Sequence, residues 1–262
     1  MTRIAPVRIL AAMTGVRILV VQPSENLPLG MLGDWFVELG AELEVRDPRR
    51  EELPETAEDY AGLVVLGGET NAGADLEHPW LSSVRKLLST ATSAGIPVLA
   101  LGLGAQLLAM ATGGRIATRR DGPEAGTLLV AKRDTAAEDV LVGPLPLTPD
   151  VFQFHRDEIS TLPPTAQLLA ASPKGENQAF RVGARAYGFQ FHVETTPEVV
   201  RGLAEADPEL AAAARGGQFD AEHLREFHAD LAETWQPVAR RFYELAATPP
   251  EERTTTRSLP LA

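Results

Sequence analysis

The chain has no cysteine in its 262 residues. That absence removes disulfides, thiolate metal ligands and any thiol nucleophile together, and with them the usual clue to redox compartment. Positive charge is also scarce: Lys and Arg number 24 against 36 Asp and Glu, for a formal net charge of −12. That balance argues against a nucleic-acid partner, whose phosphates ask for a basic face. It leaves small anionic substrates open, because those need only local positive potential. No apolar run approaches the roughly 18 residues required to cross a bilayer, so no membrane partner is expected. What is present is ordinary for a globular chain, 44% hydrophobic and 23% charged, which is enough to build one large core.

The first stretch, MTRIAPVRILAAMTGVRILVV, is basic and then mildly apolar. Arg8 interrupts the run and no secretory flank follows, so it is not read as a signal peptide, and the cytoplasm is the expected compartment. Met13 offers a second start, so residues 1–12 are expected to be a flexible extension. Residues 248–262 are rich in Pro, Thr and charge and are expected to form a disordered tail. Between them, 13–247 reads as one domain with no linker and no internal repeat beyond a short echo of VRIL.

Within that domain strands and helices alternate. VRILVVQ (16–22), AELEVRD (41–47), AGLVVLGG (61–68) and IPVLALG (96–102) read as strands. Their nearly continuous apolar character suits burial on both faces of a parallel sheet. Helical spacing is seen in 29–40, stopped by Gly40, in 78–95, closed by Gly95, and in AQLLAMATGG after the fourth strand. From about 115 to 191 the pattern changes to short strands and turns, expected to be antiparallel additions to the same sheet. Helices return at 197–206 and 221–247. The predicted fold class is α/β: a three-layer sandwich, mostly parallel with antiparallel additions.

Ligands of open α/β sheets bind beyond the carboxyl ends of the strands. Three segments fall there: GGET after the third strand, GLGAQ after the fourth, and FHVET (191–195) after a late one. In extended backbone His192 and Glu194 point the same way. The carboxylate can then fix the imidazole tautomer and leave the other nitrogen as a base; a surface His and a surface Glu at a capped strand end is the competing reading. Gly67 and Gly68 let backbone N–H groups approach a ligand closely. With the amide of Leu103 at a helix start they suit an oxyanion hole, although glycine pairs are also common in plain strand-to-helix turns.

PVLALGLGAQLLA resembles the nucleophile elbow of class I glutamine amidotransferases, P-V-L-G-I-C-L-G-x-Q-L-L-A. YGFQFHVET is similar to their G-x-Q-F-H-P-E segment, and VVLGGE, followed by HPWL, to their oxyanion loop. VFQFHRDEISTLPPTAQLLAAS and NQAFRVG resemble the branch found in GMP synthetase. The likeness spans roughly residues 14–210.

The resemblance implies a Cys-His-Glu triad acting on a γ-glutamyl amide through a thioester. His192 would be the base and Glu194 its orienter. Gly67, Gly68 and Leu103 would donate to the oxyanion, and Gln106, His155 and Asp157 would contact the substrate. The nucleophile position is Gly102. Ala100 for a family glycine and Val193 for a proline are mild departures; glycine for cysteine removes the reacting atom. The turn is either the product of a deliberate inactivating substitution or that of a natural pseudo-enzyme. Thr70, Thr195 and Thr196 are nearby hydroxyls, but none is at the elbow. No metal and no organic cofactor are implied. The expected ligand is glutamine or a γ-glutamyl small molecule, and the expected partner is a separate acceptor or synthetase subunit. The alternative is a non-catalytic ligand-binding or scaffolding component of a biosynthetic complex.

Overall fold

The computed structural model describes residues 15–248, so the expected extension at 1–12 and nearly all of the expected tail lie outside it. Strands β1 (Val16–Val21), β2 (Ala41–Arg46), β3 (Gly62–Val65) and β4 (Val98–Leu101) alternate with helices α1 (Gly30–Glu38), α2 (Trp80–Ser93) and α3 (Leu103–Ala111). Then come β5 (Arg115–Thr118), β6 (Glu124–Leu129), β7 (Ala131–Lys132), β8 (Asp150–His155), β9 (Asp157–Thr161), β10 (Ala166–Ser172), β11 (Gly175–Val182) and β12 (Ala186–Phe189). Helices α4 (Pro197–Ala206), α5 (Pro208–Ala211) and α6 (Ala221–Ala247) close the chain.

The main sheet has eight strands in the order β2-β1-β3-β4-β12-β11-β10-β7. Its first five are parallel and its last three antiparallel. Side chains alternate across it. Ile18 and Val20 join one core with Trp35, Phe36, Trp235 and Phe242 from α1 and α6. Leu19 and Val21 join the other with Leu81, Leu88 and Leu107 from α2 and α3. Two apolar faces each covered by helices give the three layers.

The middle of the chain departs from expectation. Only β7, β10 and β11 extend the main sheet antiparallel. VFQFH lies in β8, which pairs with β6 in a separate ribbon, and β5 pairs with β9 in another. AYGF forms β12, which runs parallel to β4. The reason is physical: a short alternating strand advertises one buried face but not its partner, whereas β12 is buried at all four positions, as a central strand must be. The β6–β8 ribbon is tied back to the sheet by a two-way bridge, Phe152 N–H to His192 O at 3.1 Å and His192 N–H to Phe152 O at 2.8 Å.

Candidate active site at the carboxyl end of the sheet

Parallel pairing of β4 with β12 brings Leu101 beside Phe189. The chain therefore leaves both strands at the same end, with Gly102 beside the 190–194 segment. Gly102 turns the chain from β4 into α3 with φ 54° and ψ −117°, a conformation that side chains other than glycine's resist. Its N–H donates to Phe189 O at 2.9 Å, and its carbonyl accepts from Gln106 N–H at 3.1 Å. Helix α3 begins at Leu103, two residues before the sequence pattern places it, because this turn sets its first residue.

His192 and Glu194 are 3% and 0% exposed. Glu194 Oε1 is 2.7 Å from His192 Nδ1, and Oε2 accepts from Val193 N–H at 2.8 Å. The carboxylate thus claims the Nδ1 proton, and Nε2 faces Gly102. The ring is lodged between two glycines. A Cβ built on Gly102 would lie 2.8 Å from His192 Cε1 and 3.0 Å from Nε2, and one on Gly67 would lie 2.6 Å from Cε1.

A cavity of about 470 Å³ opens in front of this turn. Gly68, Gly102, Leu103, Gln106, His155, Asp157 and His192 line it. Gly67 sits one step back, against the imidazole, and Glu194 lies behind it. Gln106 Nε2 donates to Asp157 O at 3.2 Å. The Asp157 carboxylate accepts from Asn71 Nδ2 at 2.5 Å and Thr118 Oγ1 at 2.8 Å.

His155 lines the cavity, and both its ring nitrogens are held by protein groups. Nδ1 lies 2.8 Å from Asp157 O, and Nε2 lies 2.9 Å from Gln153 Oε1 and 3.4 Å from Glu124 Oε2. Burial pushes the Glu124 carboxyl up, but His155, Gln178 and Arg119 outweigh it and hold it below the usual carboxylate range. His155 is thus tied into a polar network under the ribbon. Of the three threonines, only Thr70 lines the cavity. Thr195 Oγ1 contacts His228 Nε2 at 3.2 Å, and Thr196 Oγ1 caps α4 by accepting from Val199 N–H.

Sequence reasoning misses Gln190, which is 2% exposed and lines the cavity. It stands two residues before His192, as His192 stands two before Glu194, so period-two spacing is the signal that could have found it. Sequence reasoning also misses the apolar wall of Phe154, Leu203 and Leu210, which no local pattern assigns to a cavity. Among the described residues, no group of three or more His, Asp and Glu is placed to hold a metal ion, and no helix is long and apolar enough to cross a membrane.

Residues 30–203 match the sequence model described as glutamine amidotransferase class-I. The chain is 28% identical over 153 residues to gamma-glutamyl peptidase 4 of Arabidopsis thaliana, a match covering 57% of this chain and 60% of that protein. It is 30% identical over 174 residues to the glutamine amidotransferase-like protein YfeJ of Salmonella typhimurium, covering 64% and 71%. It is 29% identical over 166 residues to one of the subunits of the glutamine-hydrolyzing GMP synthase of Pyrococcus abyssi, covering 60% and 85%. A glutamine amidotransferase of Thermotoga maritima of known structure superposes with a TM-score of 0.78 at 29% identity, over 87% of this chain and 98% of that one.

Proposed function

The chain belongs to the class I glutamine amidotransferase family, and from that premise we propose that its cavity binds glutamine or a small γ-glutamyl compound and, with Gly102 in place, does not hydrolyse it. The observation that carries this reading is the turn at Gly102, which passes from β4 into α3 at positive φ, faces His192 and carries no side chain. With a cysteine there, the thiolate would attack the γ-amide carbon and His192 Nε2 would take the thiol proton. The amides of Gly68 and Leu103 would hold the developing oxyanion, and the proton would pass to the departing amine, leaving a thioester for water to hydrolyse. With glycine there, the site keeps the base and its orienter but has nothing to form the covalent bond. His192 could serve only to activate a water, which is a slow route for an amide.

Likeness to one component of a GMP synthase supports a second reading: a non-catalytic protein that engages a separate synthetase-type partner. Calorimetric titration with L-glutamine and with γ-glutamyl dipeptides, with ammonia followed in parallel, separates the two. Binding heat without ammonia is the expected result. Ammonia at enzyme-like rates would overturn the proposed inactivity. A folded protein giving no heat at millimolar ligand would favour the scaffold.

A further inference from the structure

His155 stands opposite Glu124 in the β6–β8 ribbon, and both are buried. An oxygen faces each nitrogen of its ring: Asp157 O lies 2.8 Å from Nδ1, and Gln153 Oε1 lies 2.9 Å from Nε2. A carbonyl only accepts, so Nδ1 carries a proton. A glutamine amide can turn either end to a neighbour, but here a chain of contacts fixes it. Its anchor is Glu124, whose carboxylate stands 3.7 Å from Arg119 Nη1. Burial alone would raise that carboxyl, but His155, Gln178 and Arg119 hold it below the usual carboxylate range, so it is ionised and only accepts. Gln178 must therefore present its NH₂, and Nε2 donates to Glu124 Oε2 at 2.9 Å. Gln178 Oε1 then accepts from Gln153 Nε2 at 2.8 Å, which leaves Gln153 Oε1 toward the imidazole. Turning either amide round would set oxygen against oxygen or nitrogen against nitrogen. Nε2 of His155 is therefore a donor as well, and a ring with two N–H donors is an imidazolium.

We infer that Glu124 is a positioning residue which, through Gln178 and Gln153, holds His155 as an imidazolium, and that this charged ring fixes the Asp157 carbonyl and with it Gln106 on the cavity wall. The inference goes beyond the reading above and does not depend on what the cavity binds. A neutral ring would push a nitrogen lone pair against an oxygen, 2.8 Å away at Asp157 or 2.9 Å away at Gln153 according to the tautomer. The same Asp157 oxygen accepts from Gln106 Nε2 at 3.2 Å, so a ring forced off that oxygen would loosen the support of Gln106. The charges agree with the hydrogen bonds. Glu124 Oε2 lies 3.4 Å from His155 Nε2, and Arg119 Nη1 lies 2.9 Å from Glu158 Oε2. The Asp157 carboxylate is turned to Asn71 and Thr118. With His155 neutral, Glu124 and Glu158 would share one guanidinium. With His155 charged the four groups balance, and a buried carboxylate is tolerated where it is paired. In a chain of net charge −12, the ring places a fixed positive charge in the cavity wall.

The test is long-range proton–nitrogen NMR of the isotopically labelled full chain in neutral buffer, which separates an imidazolium from either neutral tautomer. Native His155 should show two protonated ring nitrogens. In Glu124→Gln the anchor can itself donate, so the relay can run the other way, and His155 should lose one proton and keep the one on Nδ1. Gln178→Met cuts the relay and frees the Gln153 amide to turn, so it should give the same neutral pattern, and it serves if the first variant does not fold. In the native protein, raising the pH until the ring loses its second proton should move the Gln106 side-chain amide signals in step with the ring. A neutral His155 in the native protein overturns the inference outright, whatever the variants do. A ring that stays charged in a folded variant overturns the role of Glu124. Gln106 signals that stay in place while the ring titrates overturn the hold on Gln106.

Discussion

The two sides of the candidate site are finished to different degrees. On one side the charged and polar groups hold one another: His192 Nδ1 is held by Glu194, and Glu194 also holds the Val193 amide. On the other side the backbone makes an elbow at Gly102 with nothing on it. The contrast teaches where the elbow's shape comes from. Its bonds run from Gly102 N–H to β12 and from α3 back to the Gly102 carbonyl, so sheet and helix fix the turn without help from a side chain. A residue other than glycine would be strained there by about 1–3 kcal/mol. Glycine removes that strain, and the imidazole rests where a Cβ would stand.

The largest expected effect comes from making the two sides equal. Gly102→Cys should raise ammonia release from L-glutamine, and aniline release from γ-glutamyl anilide, by at least about 10³-fold over the native chain, since losing a covalent nucleophile costs that much or more. The new thiol would lie beside His192 and at the positive end of α3, both of which favour the thiolate. Its Cβ needs room that the ring now occupies, so His192 must yield by a few tenths of an ångström. The contact is with the far end of a side chain, and the backbone can stay. A folded cysteine variant that binds glutamine and stays inert on both substrates would show that the tightened ring no longer admits a working pair. Native protein already turning over at enzyme-like rates would sink the proposed inactivity altogether.

The second effect is on stability and sharpens the asymmetry. Glu194→Ala strands two buried donors and should cost about 3 kcal/mol, or roughly 6–12 °C in melting temperature for a domain of this size. Gly102→Ala should cost less, about 1–2 kcal/mol, from the positive φ and a ring that can shift. Scanning calorimetry of both variants checks the order. Reversal would mean that the elbow, and not the His-Glu pair, is the stiffer half.

Much of the molecule is legible in the residues because it is local. The first four strands, the glycine stops at 40 and 95, and the helices at 197–206 and 221–247 follow from short-range pattern, although the strand ends fall up to three residues inside the expected bounds and the Thr196 cap is not foreseen. Period-two spacing places His192 and Glu194 on one side, and the buried hydrogen bond between them decides against a surface pair. What is not legible is non-local. Nothing in VFQFH says that it pairs with β6 in a separate ribbon, and nothing in the AYGF stretch announces its parallel partner β4. His155 is expected at the substrate, but its nitrogens bind Asp157, Gln153 and Glu124, partners that folding brings together. Gln190 escapes notice because a glutamine just beyond a strand end usually marks a solvated turn, and here it is 2% exposed and lines the cavity.

The smallest effect is a pH dependence confined to the finished side. His228 on α6 contacts the residue after Glu194: its Nδ1–H donates to Leu224 O at 2.7 Å, and its Nε2 accepts from Thr195 Oγ1 at 3.2 Å. Burial pushes the imidazole's pKa below its ordinary value, only partly offset by the Leu224 carbonyl and the charge of Glu198. Above the unfolded value of about 6.5 both states are neutral and the full contribution to stability is present. As pH falls below it, the unfolded chain binds a proton that the folded chain refuses, so stability declines until the lower folded value is reached. The native melting temperature should therefore drop gently between about pH 7 and pH 5. His228→Gln keeps a donor and an acceptor but cannot titrate, so the gap between native and variant should shrink over that interval. Every other residue is common to the two proteins and cancels in the difference. Gly102→Ala, which touches only the unfinished side, should leave the slope unchanged. Parallel native and His228→Gln curves would show that the Thr195–His228 contact does not control the segment carrying Glu194. A slope altered by Gly102→Ala would show that the two sides are coupled through His192.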